Sequence, residues 1–112
     1  MVDAARLRRT KDIAAVRASR WARSDPHFTL RAAPNDVSGV RVAVSSTREL
    51  GTAVRRNRAR RRLREAVRLE LQKRPAAPSV DLVLAARRLA HDAPSADLRA
   101  AVARALDGAL RA

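Results

Sequence analysis

Seven arginines stand within the ten residues from Arg55 to Arg64, and Glu65 is the only acid between Arg55 and Leu69. A guanidinium is a planar fork of donors that grips a phosphate through two hydrogen bonds at once. Neutralising phosphates also releases condensed counterions, which makes such binding tight and sensitive to salt. Groups that make or break bonds are sparse by comparison. The chain has no cysteine, which excludes thiolate catalysis, disulfides and cysteine-based zinc sites. His27 and His91 are far apart in sequence and neither falls in a motif; His27 reads as a strand residue facing a cleft or solvent. His91-Asp92 reads as a loop pair without a third metal ligand. The 11 acids are scattered and form no hard-metal cluster, so neither a catalytic nor a metal site is expected. The chemistry on offer is the binding of a polyanion.

The arginine run needs an element to hold it, and its spacing supplies one. On a helix from about Thr52 or Ala53 to Lys73, Ala59, Leu63, Ala66, Val67 and Leu71 form one apolar stripe. Arg58, Arg61, Arg64 and Arg68 lie on the opposite face. A merely solvated face would carry acids at i,i+4 positions, and these are nearly absent. Arg55, Arg56 and Arg58 also crowd the positive end of the helix dipole, where an anion is the natural complement.

The other elements follow from period and punctuation. Thr10 caps a short helix over Lys11 to Ala18, and residues 1–9 read as a mobile basic arm. Arg20 to Pro26 form a loop. His27 to Ala33 alternates as a strand, and Val40 to Ser45 alternates more cleanly. Pro75 to Ser79 is a linker, Val80 to Ala85 a buried strand, and Ala96 to Ala109 an amphipathic last helix. The expected fold is α+β: a single-domain α/β sandwich over residues 1–112, one small sheet covered by helices. Its order is α-β-β-(β)-α-β-α, with the bracketed strand too short to read.

Composition bounds the partners. The chain of 112 residues has a formal charge of +14 and a sequence pI of about 12.0. Nucleic acid and an anionic membrane are the obvious counterparts. No apolar run approaches the roughly 20 residues of a membrane span, and the first nine residues lack a signal-peptide core, so a cytoplasmic location is expected. Arg and Ala richness in part reflects codon usage; the clustering of arginine does not.

From Arg48-Glu49-Leu50-Gly51-Thr52-Ala53-Val54 through Arg55-Arg56-Asn57-Arg58-Ala59-Arg60-Arg61-Arg62-Leu63-Arg64, the chain resembles the signature of the bacterial ribonuclease P protein subunit. Arg56-Asn57-Arg58 is similar to its central triplet, Arg60-Arg61 to the following pair, and Arg64 to its last member. Arg6-Leu7 with Asp12 and Val16, Val42 to Ser45, and Asp81 to Arg87 look like the first helix, the central strand and the last strand of that family. The resemblance implies a non-catalytic subunit of a ribonucleoprotein endonuclease that removes the 5′ leader of precursor tRNA. In that family the RNA is the catalyst and holds Mg2+, while the protein binds no cofactor of its own. Arg48, Arg55, Arg56, Asn57, Arg58, Arg60, Arg61, Arg64 and Arg68 would face ribonuclease P RNA. Ile13, Arg17, His27, Phe28 and Arg31 would line a cleft for the leader of precursor tRNA. The protein would act as a monomer within the ribonucleoprotein. Glu49 departs from the family, which usually has a second basic residue there. The cleft keeps one ring, Phe28.

Rival readings explain less. A structural RNA-binding module of ribosomal type accounts for the charge but not for the ordered signature. A DNA-binding regulator wants a helix-turn-helix where Val40 to Ser45 reads as a strand. A membrane-surface helix wants larger apolar residues than Ala59 and Ala66.

Overall fold

Alternation along the strands decides which layer each residue enters, because successive side chains point to opposite faces of a sheet. The computed structural model describes residues 4–74 and 79–111. Its elements are β1 (Ala5–Arg6), α1 (Thr10–Arg17), β2 (Ala22–Ser24), β3 (Phe28–Pro34), β4 (Val40–Ser46), α2 (Ala53–Gln72), β5 (Val80–Ala86), α3 (Arg88–Asp92) and α4 (Ser95–Arg111), with a 3-10 turn over Arg48–Leu50. The five strands form one sheet in the order β1-β4-β5-β3-β2. β4 and β5 run parallel, joined across α2, and β3 lies antiparallel to β5 with Phe28 opposite Ala86 and Pro34 opposite Val80.

Even-numbered residues of the three central strands enter the larger core. Phe28, Leu30, Val40, Leu82 and Leu84 pack there against Ala59, Leu63 and Leu71 of α2 and Leu98, Val102 and Leu106 of α4. Burial of each Leu or Phe contributes about 1.5–3 kcal/mol. Odd-numbered residues face α1, where Val16 and Leu7 close over Val83, with Ile13, Ala33 and Ala43 alongside. The apolar stripe read from the sequence of α2 is therefore the buried one, joined by Glu70.

Two buried carboxylates tie elements together. Asp81 accepts from Arg41 Nε and Nη2, both at 2.7 Å, and from Asn35 at 2.8 Å. Glu70, 5 % exposed, sits between Lys73 and Arg99, each at 3.1 Å. Arg74 extends the seam between α2 and α4 through Asp107 at 2.6 Å.

The α+β sandwich is as expected, with four corrections. Ala5–Arg6 is an edge strand parallel to β4, and Leu7 behind it is buried, so this part of the N-terminus is not a free arm. Residues 1–3 of the expected arm and 75–78 of the expected linker lie outside the described residues. Ala22–Ser24, expected as loop, pairs with Thr29 to Arg31. Thr10 is the first helical residue of α1 and not its cap; the capping position is Arg9, without a side-chain bond. The five-residue helix α3 was not anticipated and fills the connection from β5 to α4.

Candidate nucleic-acid interface

Gly51 turns the chain from the 3-10 segment into α2 with φ of 77°, a left-handed value that favours glycine. Thr52 then caps α2, its hydroxyl accepting from Arg55 N at 3.2 Å. Because α2 lays its stripe on the sheet, the residues opposite are forced outward. Arg58, Arg61, Arg64 and Arg68 are all exposed, as are Arg48, Arg55 and Asn57. Arg60 is half-buried and hydrogen-bonds both Ser46 Oγ and Asn57 Oδ1. Asn57 is thus the residue that orients Arg60 beside the outer face. Arg56 sits three residues before Ala59 and seven before Leu63, on the buried side, and is half-buried.

The outer face is poorly neutralised. Glu65 pairs with Arg68, with Nε to Oε2 at 3.0 Å, which lowers the carboxyl's proton affinity and raises that of the guanidinium. Arg64 has no carboxylate partner among the described residues. Partial burial first, then repulsion from Arg6 and Arg60, holds its pKa below the ordinary arginine value. Cations so placed gain most from an anion that arrives from outside.

One arginine of the run does something else. Arg62 turns toward α3 and donates to the carbonyls of Ala90 at 2.9 Å and His91 at 2.6 Å, and to that of Ala93. Ala90 and His91 carry last-turn carbonyls of α3 and Ala93 is its capping residue, and the helix itself leaves such end carbonyls unpaired. Glu49 serves the other end: its carboxylate accepts from Arg88 N at 3.0 Å and faces Arg87 Nε at 3.4 Å. Its pKa is lowered, chiefly by that backbone N–H and then by Arg87. The acid that departs from the basic pattern therefore anchors the start of α3.

The second expected surface is only partly assembled. Ile13 and Arg31 share the α1 face of the sheet, and exposed Arg17 ends α1. Arg31 donates to Ser19 O at 2.9 Å. Phe28 is a correction: it is fully buried on the opposite face, among α2 and α4 residues, and lines no cleft. The alternation that put its ring on an apolar face is what takes it away from α1. His27 stands in the turn between β2 and β3, half-buried, with Nδ1 2.7 Å from Asp25 Oδ1. Beside a carboxylate that ring nitrogen is the donor, so the pair is a turn lock. Among the described residues, no three of His, Asp or Glu converge as a metal site, and no helix is long and apolar enough to cross a membrane.

The fold and the outward arginines define a small α+β domain with one strongly cationic helix face. A profile of the family described as Ribonuclease P matches residues 1–110. The ribonuclease P protein component of Chloroflexus aggregans is 49 % identical over 71 residues, covering 63 % of this chain and 53 % of that protein. That of Caulobacter vibrioides is 43 % identical over 83 residues, covering 73 % and 55 %. That of Pelotomaculum thermopropionicum is 38 % identical over 82 residues, covering 73 % and 71 %. The chain spans about half the length of the first two. The RNase P protein from Thermotoga maritima superposes with a TM-score of 0.73 at 22 % identity over 96 % of each chain, and that of Staphylococcus aureus with 0.70 at 19 % over 97 % and 94 %. This chain belongs to the ribonuclease P protein family.

Proposed function

We propose that the chain is the protein subunit of ribonuclease P, binding the catalytic RNA through the outer face of α2 and assisting removal of the 5′ leader from precursor tRNA. The observation that carries this reading is the exposed, nearly uncompensated row Arg58, Arg61, Arg64 and Arg68 on a helix anchored by its other face. Such a row screens repulsion between phosphates that an RNA fold brings together, and it does so in a fixed geometry. In this reading hydrolysis would belong to the RNA partner, which would hold the Mg2+. The protein holds and orients RNA as a monomer in a cytoplasmic particle.

The leader of precursor tRNA is assigned to the α1 face, between Ile13 and the exposed guanidinium groups of Arg17 and Arg31. With Phe28 in the core, guanidinium stacking and phosphate pairing replace aromatic stacking on this surface. A purely structural RNA binder of ribosomal type would share the arginine row but would not promote cleavage.

Reconstitution separates the two. Purified protein added to a bacterial ribonuclease P RNA at low Mg2+ should stimulate precursor cleavage. A folded protein without effect on cleavage overturns the proposal. Replacing Arg58 and Arg61 together with Ala should lower the salt slope of RNA affinity by about two.

A further inference from the structure

The sheet's β1 edge is unfinished. Leu7 N donates to Val42 O at 2.8 Å, and there the pairing of β1 with β4 stops. Val44, two residues on, points its backbone N–H and C=O the same way as Val42. Among the described residues no hydrogen bond extends the ladder to it. Beyond this open edge lies a groove of about 480 Å³, walled by β1, β4, the flank of α2 and Ile13 of α1. That size lies within the roughly 300–1,000 Å³ of small-molecule sites.

The groove has two chemistries. Its floor is aliphatic, from half-buried Val42 and Val44 of β4 and exposed Ala5 of β1, with Val67 and Leu71 of α2 buried beneath. Its rim is cationic: Arg6 from β1 and Arg64 and Arg68 from α2, with no carboxylate among the lining residues. Arg6 and Arg64 have no carboxylate partner among the described residues, and Arg64 already feels Arg6 and Arg60. The groove combines an apolar floor and a free backbone donor and acceptor with a rim that attracts one or two negative charges. It suits a flat heterocycle carrying a phosphate.

We propose that this groove binds one unpaired nucleotide, its base against Val42 and Val44 and its phosphate on Arg64 and Arg6. The site rests on the RNA-binding reading and sharpens it: α2 does not only track a duplex backbone but takes a base beside it. The backbone N–H and C=O of Val44 are placed to meet the edge of that base, and the Arg68 guanidinium flanks it.

The test compares two ligands with the same phosphate. The isotope-labelled full chain is titrated by NMR with AMP and, separately, with ribose 5-phosphate. AMP should shift the Val44 amide and the Val42 and Val44 methyls and bind at least about fivefold more tightly, as burial of roughly 40 Å² of apolar surface would give. Arg64→Ala should weaken AMP at least about fivefold, while Arg58→Ala, away from the groove, should not. Equal affinity of the two ligands, or methyls that ignore AMP, overturns the groove site. Because the titration contains no RNA subunit, a chain that stimulates cleavage yet fails it loses only the groove. A chain that passes it without stimulating cleavage loses the subunit reading.

Discussion

Replacing Arg62 with Ala should unfold the protein more easily while leaving its RNA contacts intact, the reverse of what Ala at Arg61 should do. Arg62 is half-buried and donates to the carbonyls of Ala90, His91 and Ala93. Each hydrogen bond from a charged donor contributes roughly 1.5–3 kcal/mol when its loss leaves the partner dry. Here water reaches part of the gap and the three bonds share one side chain, so they do not add. A loss of about 2–3 kcal/mol follows. With a urea slope of about 1–1.5 kcal/mol per molar for a domain of this size, the midpoint should fall by about 2 M. Arg62→Lys keeps the charge but loses the fork, so it should recover less than half of the loss. Exposed Arg61 should cost less than about 0.5 kcal/mol on removal, yet reduce the salt slope of RNA binding by about one. Urea unfolding at a fixed sulfate concentration, beside RNA titrations across salt, measures both quantities. If Arg62→Ala and Arg61→Ala shift the midpoint equally, the division of the run into an anchor and a binding face is wrong.

Phe28→Ala should cost about 3–5 kcal/mol in chemical denaturation, and its effect on precursor and mature tRNA should be equal, because the ring lies in the core; selective loss of precursor binding would put it back in the cleft. Asp81→Ala leaves Arg41 and Asn35 without their shared acceptor and should lower the urea midpoint clearly, against an expected shift near zero if the pair were solvated. Glu49 has a folded pKa below its ordinary 4.5, so its contribution is complete above that value and is lost as pH falls through the folded pKa. The protection factor of the Arg88 amide, its exchange relative to an unstructured peptide at the same pH, should accordingly fall at acid pH in the native chain, and Glu49→Gln should remove that pH dependence; a carboxyl titrating at or above 4.5 by NMR would contradict the capping role.

The parts of this molecule that were legible in the sequence are those whose signal is local and repeated. Twenty residues of α2 carry their stripe through five turns, and β4 and β5 alternate or run apolar long enough to be read. β1 and β2 have two and three residues, too few for any period, and exist because β4 and β3 offer them a partner. Phe28 shows a different limit. Alternation separated Phe28, Leu30 and Ala32 from Thr29 and Arg31 correctly, but which helix covers which face is a property of the whole sheet. Arg62 did carry a signal: it lies three residues after Ala59 and four before Ala66, beside the buried stripe, unlike Arg58 or Arg61. Asn57 was read as part of the binding motif, and the structure adds its local task of holding Arg60.

The two candidate surfaces lie on opposite faces of the sheet, which raises the question of how one RNA-bound particle uses both. α2 covers the even-numbered face and α1 the odd-numbered one, and the central strands β5 and β3 separate them completely. At the β4 edge the layers meet: the groove there is lined by Ile13 from α1 and by Val67 and Leu71 from α2, with Arg6 on β1. A nucleotide seated in that groove would touch both layers at once. The short strand β1 then matters beyond its two residues of pairing. It carries the rim charge and sets how far the edge stays open, since one more bond, from Val44 N to Leu7 O, would close it. Binding on the cationic helix and binding on the α1 face would be linked through this edge. In that reading, a change at Ile13 alters contacts made by Arg64 without touching it.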